Sequence, residues 1–381
     1  MGITLSHISA LDATRALRSA GRNIPEMDAV ALSAPSTWRG VRWSMHLFGP
    51  SEWRFAPPDR RRHLHVLVPQ QKDSVRMTNV ESHCYSGTLP RGSIVWLDTH
   101  ASMVCPELLF LQMANVFSLP ALVMLGYELC GNFSRSPDDP LHGDVATPVP
   151  AATSVERIAD FLKDVPHVWG VKRARQALGF VSDNALSAPE ALLATMYSLP
   201  EEEAGYGIGP ITLNARVRIN DDNECVNDDR ARSRYPDLLF PFAHVGINYD
   251  GGNHLDLSGL ISAAQSTVLE TEKERHDQAV LDLLNKREAV RNKYVDDNLR
   301  DRQLASRGYL VLRATKEDIE SLEKLDAFTR DLLRTAQNLM GIDVSPYLRP
   351  LDDTSKTRDR KDMFDTLRFG DGSIAHMHGK M

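Results

Sequence analysis

The chain has 381 residues, 42% hydrophobic and 25% charged, which is too apolar for a wholly disordered protein and long enough for two buried cores. Its 44 Lys and Arg against 51 Asp and Glu give a formal charge of -7, excluding a histone-like protein held on nucleic acid by bulk charge while leaving specific or metal-assisted DNA contact open. Four cysteines with no C-x-x-C pair exclude a disulfide framework or a zinc knuckle and imply a reducing, cytoplasmic setting.

The first twenty residues lack the basic start and continuous apolar core of a signal peptide and predict a short amphipathic helix. Arg60, Arg61 and Arg62 in PPDRRRHLH form a basic turn, either simply solvated or in contact with phosphate. HLHVLVP (63–69) and GSIVWLDTH (92–100) have the Val, Ile and Leu density of strands. The apolar stretch from Cys105 to Phe133 carries Glu107, Gln112, Asn115, Pro120 and Glu128, too many polar groups for ~20 lipid-facing residues, so it predicts a core helix pair rather than a membrane span. Residues 1–137 thus predict a small N-terminal α+β domain, a candidate for DNA binding or regulation. The Pro-rich stretch at 138–154 predicts a linker. Residues 1–150 hold 13 basic and 13 acidic side chains, so all the excess acid lies downstream.

Residues 155–341 predict a second domain. Three helices come first, the third starting at Ser187-Ala188-Pro189-Glu190 with proline in its first turn. PITLNARVRI (210–219), PDLLFP (236–241) and HVGINYDG (244–251) predict strands, the charged stretch 266–307 an amphipathic helix or broken pair, and GYLVLRAT (308–315) a buried strand before a last helix. Leu238, Phe240, Val245, Ile247, Leu310 and Leu312 are the expected core of one sheet. Residues 342–381 have few apolar groups and predict a flexible tail, whose His376 and His378 could bind metal only adventitiously.

Glu190, Asp237 and Asp250 fall on a helix and at strand ends, where carboxylates can converge on one sheet edge. Such a set suits Mg2+, or Mn2+, which binds oxygen ligands and substrate phosphates. The plain alternative is that Asp237 and Asp250 are turn residues, since Pro-Asp and Tyr-Asp-Gly favour turns on local grounds. No dinucleotide-type glycine pattern is present, so no small-molecule cofactor is implied.

PDLLFPFAHVGINYDGGNH and LRDRQLASRGYLVLRATKEDI resemble the PD-(D/E)XK nuclease superfamily, and within it relatives of very-short-patch-repair endonucleases, over roughly residues 170 to 320. The resemblance implies an α/β (α+β) restriction-endonuclease-like mixed sheet flanked by helices, DNA as partner, and Mg2+-dependent phosphodiester hydrolysis by a metal-activated water. It makes Asp237 and Asp250 the ion-binding acids, Glu190 the first-helix acid, Asp301 the acid before the last strand and His254 a proton carrier. Relatives have Glu where this chain has Asn248, which could offer a carbonyl oxygen to the metal but no charge. The alternative is a non-catalytic DNA-binding or antitoxin-like regulator that retains the nuclease fold. CPELLFLQMANVFSLPALVMLGYELCG is similar to a helical segment of AbiEi-type abortive-infection antitoxins; there Glu107 would stabilise a helix N-terminus.

Overall fold

The structure is a computed structural model that describes residues 3–22, 24, 29–34, 60, 62–85, 87–97, 101–140, 143–218, 233–251, 257–269 and 273–369. The chain divides into two compact units, Met1–Ile208 with Ser355–Met381 and Gly209–Thr354. Both combine sheets with flanking helices, giving a mixed α+β protein.

The first unit is built on β1 (Ile3–Leu5), β2 (Leu64–Val68), β3 (Val80–Cys84), β4 (Ile94–Trp96) and β5 (Ala101–Val104), in the order β3-β2-β1-β5-β4. β2 and β3 run parallel, with His65 opposite Glu81 and Leu67 opposite His83. Helices α1 (His7–Ser19), α2 (Pro106–Met113), α3 (Leu119–Cys130), α4 (Val155–Asp164), α5 (Val171–Leu178) and α6 (Ala188–Ser198) complete the unit. α2 is buried all round and α3 nearly so, as a core pair must be. Among the described residues no helix is long and apolar enough to cross a membrane.

Inside this core lies a charged network. Arg15 forks onto both oxygens of Glu128 at 2.8 and 2.7 Å, and Arg18 donates to the carbonyls of Glu128, Gly131 and Pro150. Both arginines are buried, so these carbonyls supply the acceptors that water cannot.

The unit boundary differs from the one composition suggests. The 138–154 stretch belongs to the first unit and is pinned there: Pro150 accepts from Arg18, Asn132 donates to Val149, and Thr153 donates to Glu107. Residues 342–369 are likewise not a flexible tail. Helix α10 (Ser345–Asp352) lies in the second unit, and α11 (Thr354–Phe369) belongs from Ser355 onward to the first. α11 buries Met363, Phe364 and Leu367, and its buried Arg360 lies over the Tyr206 ring at 5.2 Å. Residues 370–381, with His376 and His378, lie outside the described residues.

The second unit holds a sheet in the order β11-β10-β9-β6: β6 (Thr212–Leu213), β9 (Leu238–Phe240), β10 (Val245–Asp250) and β11 (Leu310–Thr315). A separate pair joins β7 (Val217–Arg218) to β8 (Ser233–Arg234). β10 runs antiparallel to β9 and parallel to β11. The three apolar strings therefore share one sheet, although Leu310 and Leu312 are only half-buried. Helices α7 (Leu257–Leu269), α8 (Lys273–Ser306) and α9 (Leu322–Met340) complete the unit with α10. The face of the sheet carrying Leu239 and Val311 packs on Leu304 of α8.

Candidate functional site

Strand alternation fixes which side chains share that face. Gly246 stands opposite both Leu239 and Val311, so Asn248 and Asp250, two and four residues on, point the same way; Arg313 and Thr315 lie beside them on β11. Carrying the β9–β10 register one step further sets Asp237 opposite Asn248. The Asp237 backbone N–H donates to Asn248 Oδ1 at 3.2 Å, and Tyr249 N–H donates to Asp237 Oδ2 at 2.7 Å. Asp237, Asn248 and Asp250 thus share one face at one end of the sheet.

α8 adds opposing charges there. Asp297 and Asp301 accept from Arg313 at 3.3 and 2.9 Å, and Arg300 pairs with Asp297 at 3.1 Å. Burial disfavours the Arg313 charge, but Asp301 and Asp297 outweigh it and raise the pKa. Asp301, the expected acid before the last strand, is therefore the partner of the arginine in that strand.

Asn248 is 4% exposed. Its carbonyl oxygen accepts the Asp237 N–H, and its Nδ2 donor is buried without a hydrogen-bond partner among the described residues. An amide nitrogen carrying hydrogens repels a cation. With Arg313 next to it, this set fits Mg2+ poorly at Asn248, whatever Asp237 and Asp250 offer.

Glu190 belongs to the first unit, whereas Asp237 and Asp250 belong to the second. It sits in the first unit, 6% exposed, where Oε1 accepts from Ser187 Oγ at 2.8 Å and Oε2 from the Leu186 N–H at 3.0 Å, while Ser187 Oγ receives the Glu190 N–H. Ser187-x-x-Glu190 is a variant of the capping box for α6, its carboxylate accepting the N–H of the residue before the N-cap, and this duty explains the acid without a substrate. His254 lies outside the described residues. Of the basic turn, Arg62 pairs with Asp12 at 2.7 Å and donates to the Pro137 carbonyl. Glu107 opens α2 as expected, and also pairs with Arg157 at 2.9 Å.

A second constellation was not anticipated from the sequence. On β2 and β3 of the first unit His65, Glu81 and His83 share one face, and His63 just precedes β2. Oxygen and ring-nitrogen atoms of His65, Glu81 and His83 all lie within 4.8 Å of one another. His65 Nδ1 is 2.9 Å from His83 Nε2 and 3.8 Å from Glu81 Oε2, and His63 Nδ1 holds Glu81 Oε1 at 2.7 Å. His7 stacks on His83 with ring centroids 3.8 Å apart. The signal was present as H-x-H in HLH and E-x-H in ESH, each of which puts both members on one side of an extended segment.

Comparison of the chain with protein-family models, with curated proteins and with solved structures returned no match.

Proposed function

We propose that the protein is a nucleic-acid-binding regulator whose second unit has a restriction-endonuclease-like architecture in which a divalent-ion site has given way to a polar network centred on Asn248. One observation carries the reading: the residue standing in the metal position brings no charge, turns its carbonyl oxygen to the Asp237 N–H and holds a buried amide donor in the site. Support for the architecture comes from the parallel β10–β11 pair, the antiparallel β9 beside it, and the charged helix α8 leading into β11. DNA as partner follows from the motif resemblance, and the antitoxin-like segment in α2 and α3 favours a regulatory role.

The second reading is a Mg2+-dependent endonuclease, favoured by the shared face of Asp237 and Asp250. Fluorescence anisotropy with a labelled DNA duplex separates the two, run on the full chain in Mg2+ and again in EDTA, beside a supercoiled plasmid nicking assay. The proposed function predicts duplex binding of equal strength in both buffers, weakening with salt, and intact plasmid. Nicking that Asp237→Ala abolishes would establish the endonuclease instead, and absence of duplex binding would refute both.

A further inference from the structure

We propose that His65, Glu81 and His83 of the first unit form a binding site for one transition-metal cation of the Zn2+ class, a site independent of anything the second unit does. The donors are two imidazoles and a carboxylate, a set that suits zinc and leaves a coordination position for water. Zn–N and Zn–O bonds of about 2.0–2.2 Å in a tetrahedron place ligand atoms about 3.3–3.6 Å apart. The distances from His65 Nδ1, 2.9 Å to His83 Nε2 and 3.8 Å to Glu81 Oε2, bracket that spacing, so small side-chain rotations suffice.

The surroundings are arranged as a metal site requires. Two ring nitrogens facing each other at 2.9 Å share one proton, and a cation binding both displaces it. Glu81 is held through Oε1 by His63, leaving Oε2 directed toward His65; this is the outer-shell contact that orients a ligating carboxylate. His83 is clamped by the stacked His7 ring. His7 adopts φ +49° at the first position of α1, a left-handed backbone costing on the order of 1–2 kcal/mol, and so do few non-glycine residues in the described chain. Its N–H donates to Gln112 Oε1 at 3.0 Å, which holds the strained turn. Access is from the sheet edge: β3 is an outer strand, and the Glu81 side chain is 38% exposed. Cys84 follows His83 directly and therefore points to the opposite face, which leaves sulfur out of the set.

The test uses the full chain with His376→Ala and His378→Ala, which removes the tail histidines as a competing source of binding. Protein stripped with a chelator is reloaded with Zn2+, passed over a sizing column and assayed for metal, and affinity is measured by competition with a chromophoric chelator. We expect one zinc per chain, X-ray absorption showing nitrogen and oxygen ligands with imidazole scattering, and a loss of more than about 100-fold in affinity in Glu81→Gln and in His83→Gln. His63→Ala, which frees Glu81 without removing a ligand, is expected to lose about 10- to 100-fold. Melting of the metal-free variants shows whether each is folded, and the absorption spectrum of the parent stands even if one is not. No stoichiometric zinc, sulfur in the coordination shell, or undiminished binding by folded Glu81→Gln and His83→Gln would each overturn the proposal.

Discussion

Replacing Glu128 by Gln removes the negative half of the buried fork in the first unit while keeping its shape. Glu128 is 2% exposed, receives two charge-assisted bonds from Arg15 at 2.8 and 2.7 Å, and accepts the Arg135 N–H at 3.0 Å. Burial alone would raise its pKa, but Arg15 and then Arg135 overcome it and bring it from 4.5 down to about 2. A carboxyl shifted that far contributes on the order of 3 kcal/mol of folding stability. Breaking a buried ion pair from one side independently suggests about 3–5 kcal/mol, because the remaining guanidinium is left buried without its charge partner. Residues 209–354 of the second unit contain no tryptophan, while Trp96 and Trp169 lie in the first, so tryptophan fluorescence in a urea titration does not report on the second unit. Glu128→Gln is expected to lose about 3 kcal/mol at pH 7. Since the folded-state pKa is depressed, the parent's contribution is complete above pH 4.5 and disappears as pH falls through about 2, whereas the variant lacks this dependence. Arg15→Met with Glu128→Leu should be less destabilised than Glu128→Gln, since the Arg15 charge leaves together with its partner. Equal midpoints and parallel acid profiles for parent and Glu128→Gln would refute the reasoning.

Glu190→Ala should cost about 1 kcal/mol in the same fluorescence titration by removing the α6 capping box, and leave DNA binding unchanged; a specific loss of DNA binding at full stability would return Glu190 to the site. Gly131→Ala would bring a Cβ to 2.5 Å from the Tyr127 carbonyl oxygen and 2.6 Å from that of Ala185, so a loss of about 1–3 kcal/mol is expected, checked by the same midpoint. Asn248→Glu should raise Mg2+ affinity at least about tenfold by calorimetry, because it adds a charge and an oxygen donor where the parent presents an amide N–H. Unchanged Mg2+ affinity would show that this position does not face the ion.

The strands around the second-unit site were legible because they are short, apolar and bounded by turn residues. PDLLFP and HVGINYDG differ in length from the observed β9 and β10 only at their ends. What one strand cannot disclose is its register. That Asn248 stands opposite Asp237 and turns its oxygen to that residue's N–H depends on pairing between separate segments. The domain boundary failed for a related reason: proline content marks 138–154 as a linker, while the buried Arg18 that binds the Pro150 carbonyl lies 132 residues earlier. The end of the chain reads as a tail because its apolar groups are few, yet Leu351, Met363, Phe364 and Leu367 are all buried. Glu190 is the opposite case, since Ser187-x-x-Glu190 stated its capping role locally and the motif resemblance competed with it. His65 and His83 become neighbours only through the parallel pairing of β2 with β3.

The most direct test of the account is plasmid nicking by the full-length protein in Mg2+ with Asn248 as found and with Asn248→Glu, beside duplex binding of both in EDTA. Both proteins are expected to bind the duplex without metal, the parent to leave the plasmid supercoiled, and only Asn248→Glu to gain affinity for Mg2+. A parent that nicks the plasmid in Mg2+, and loses that activity in Asp237→Ala, would contradict it.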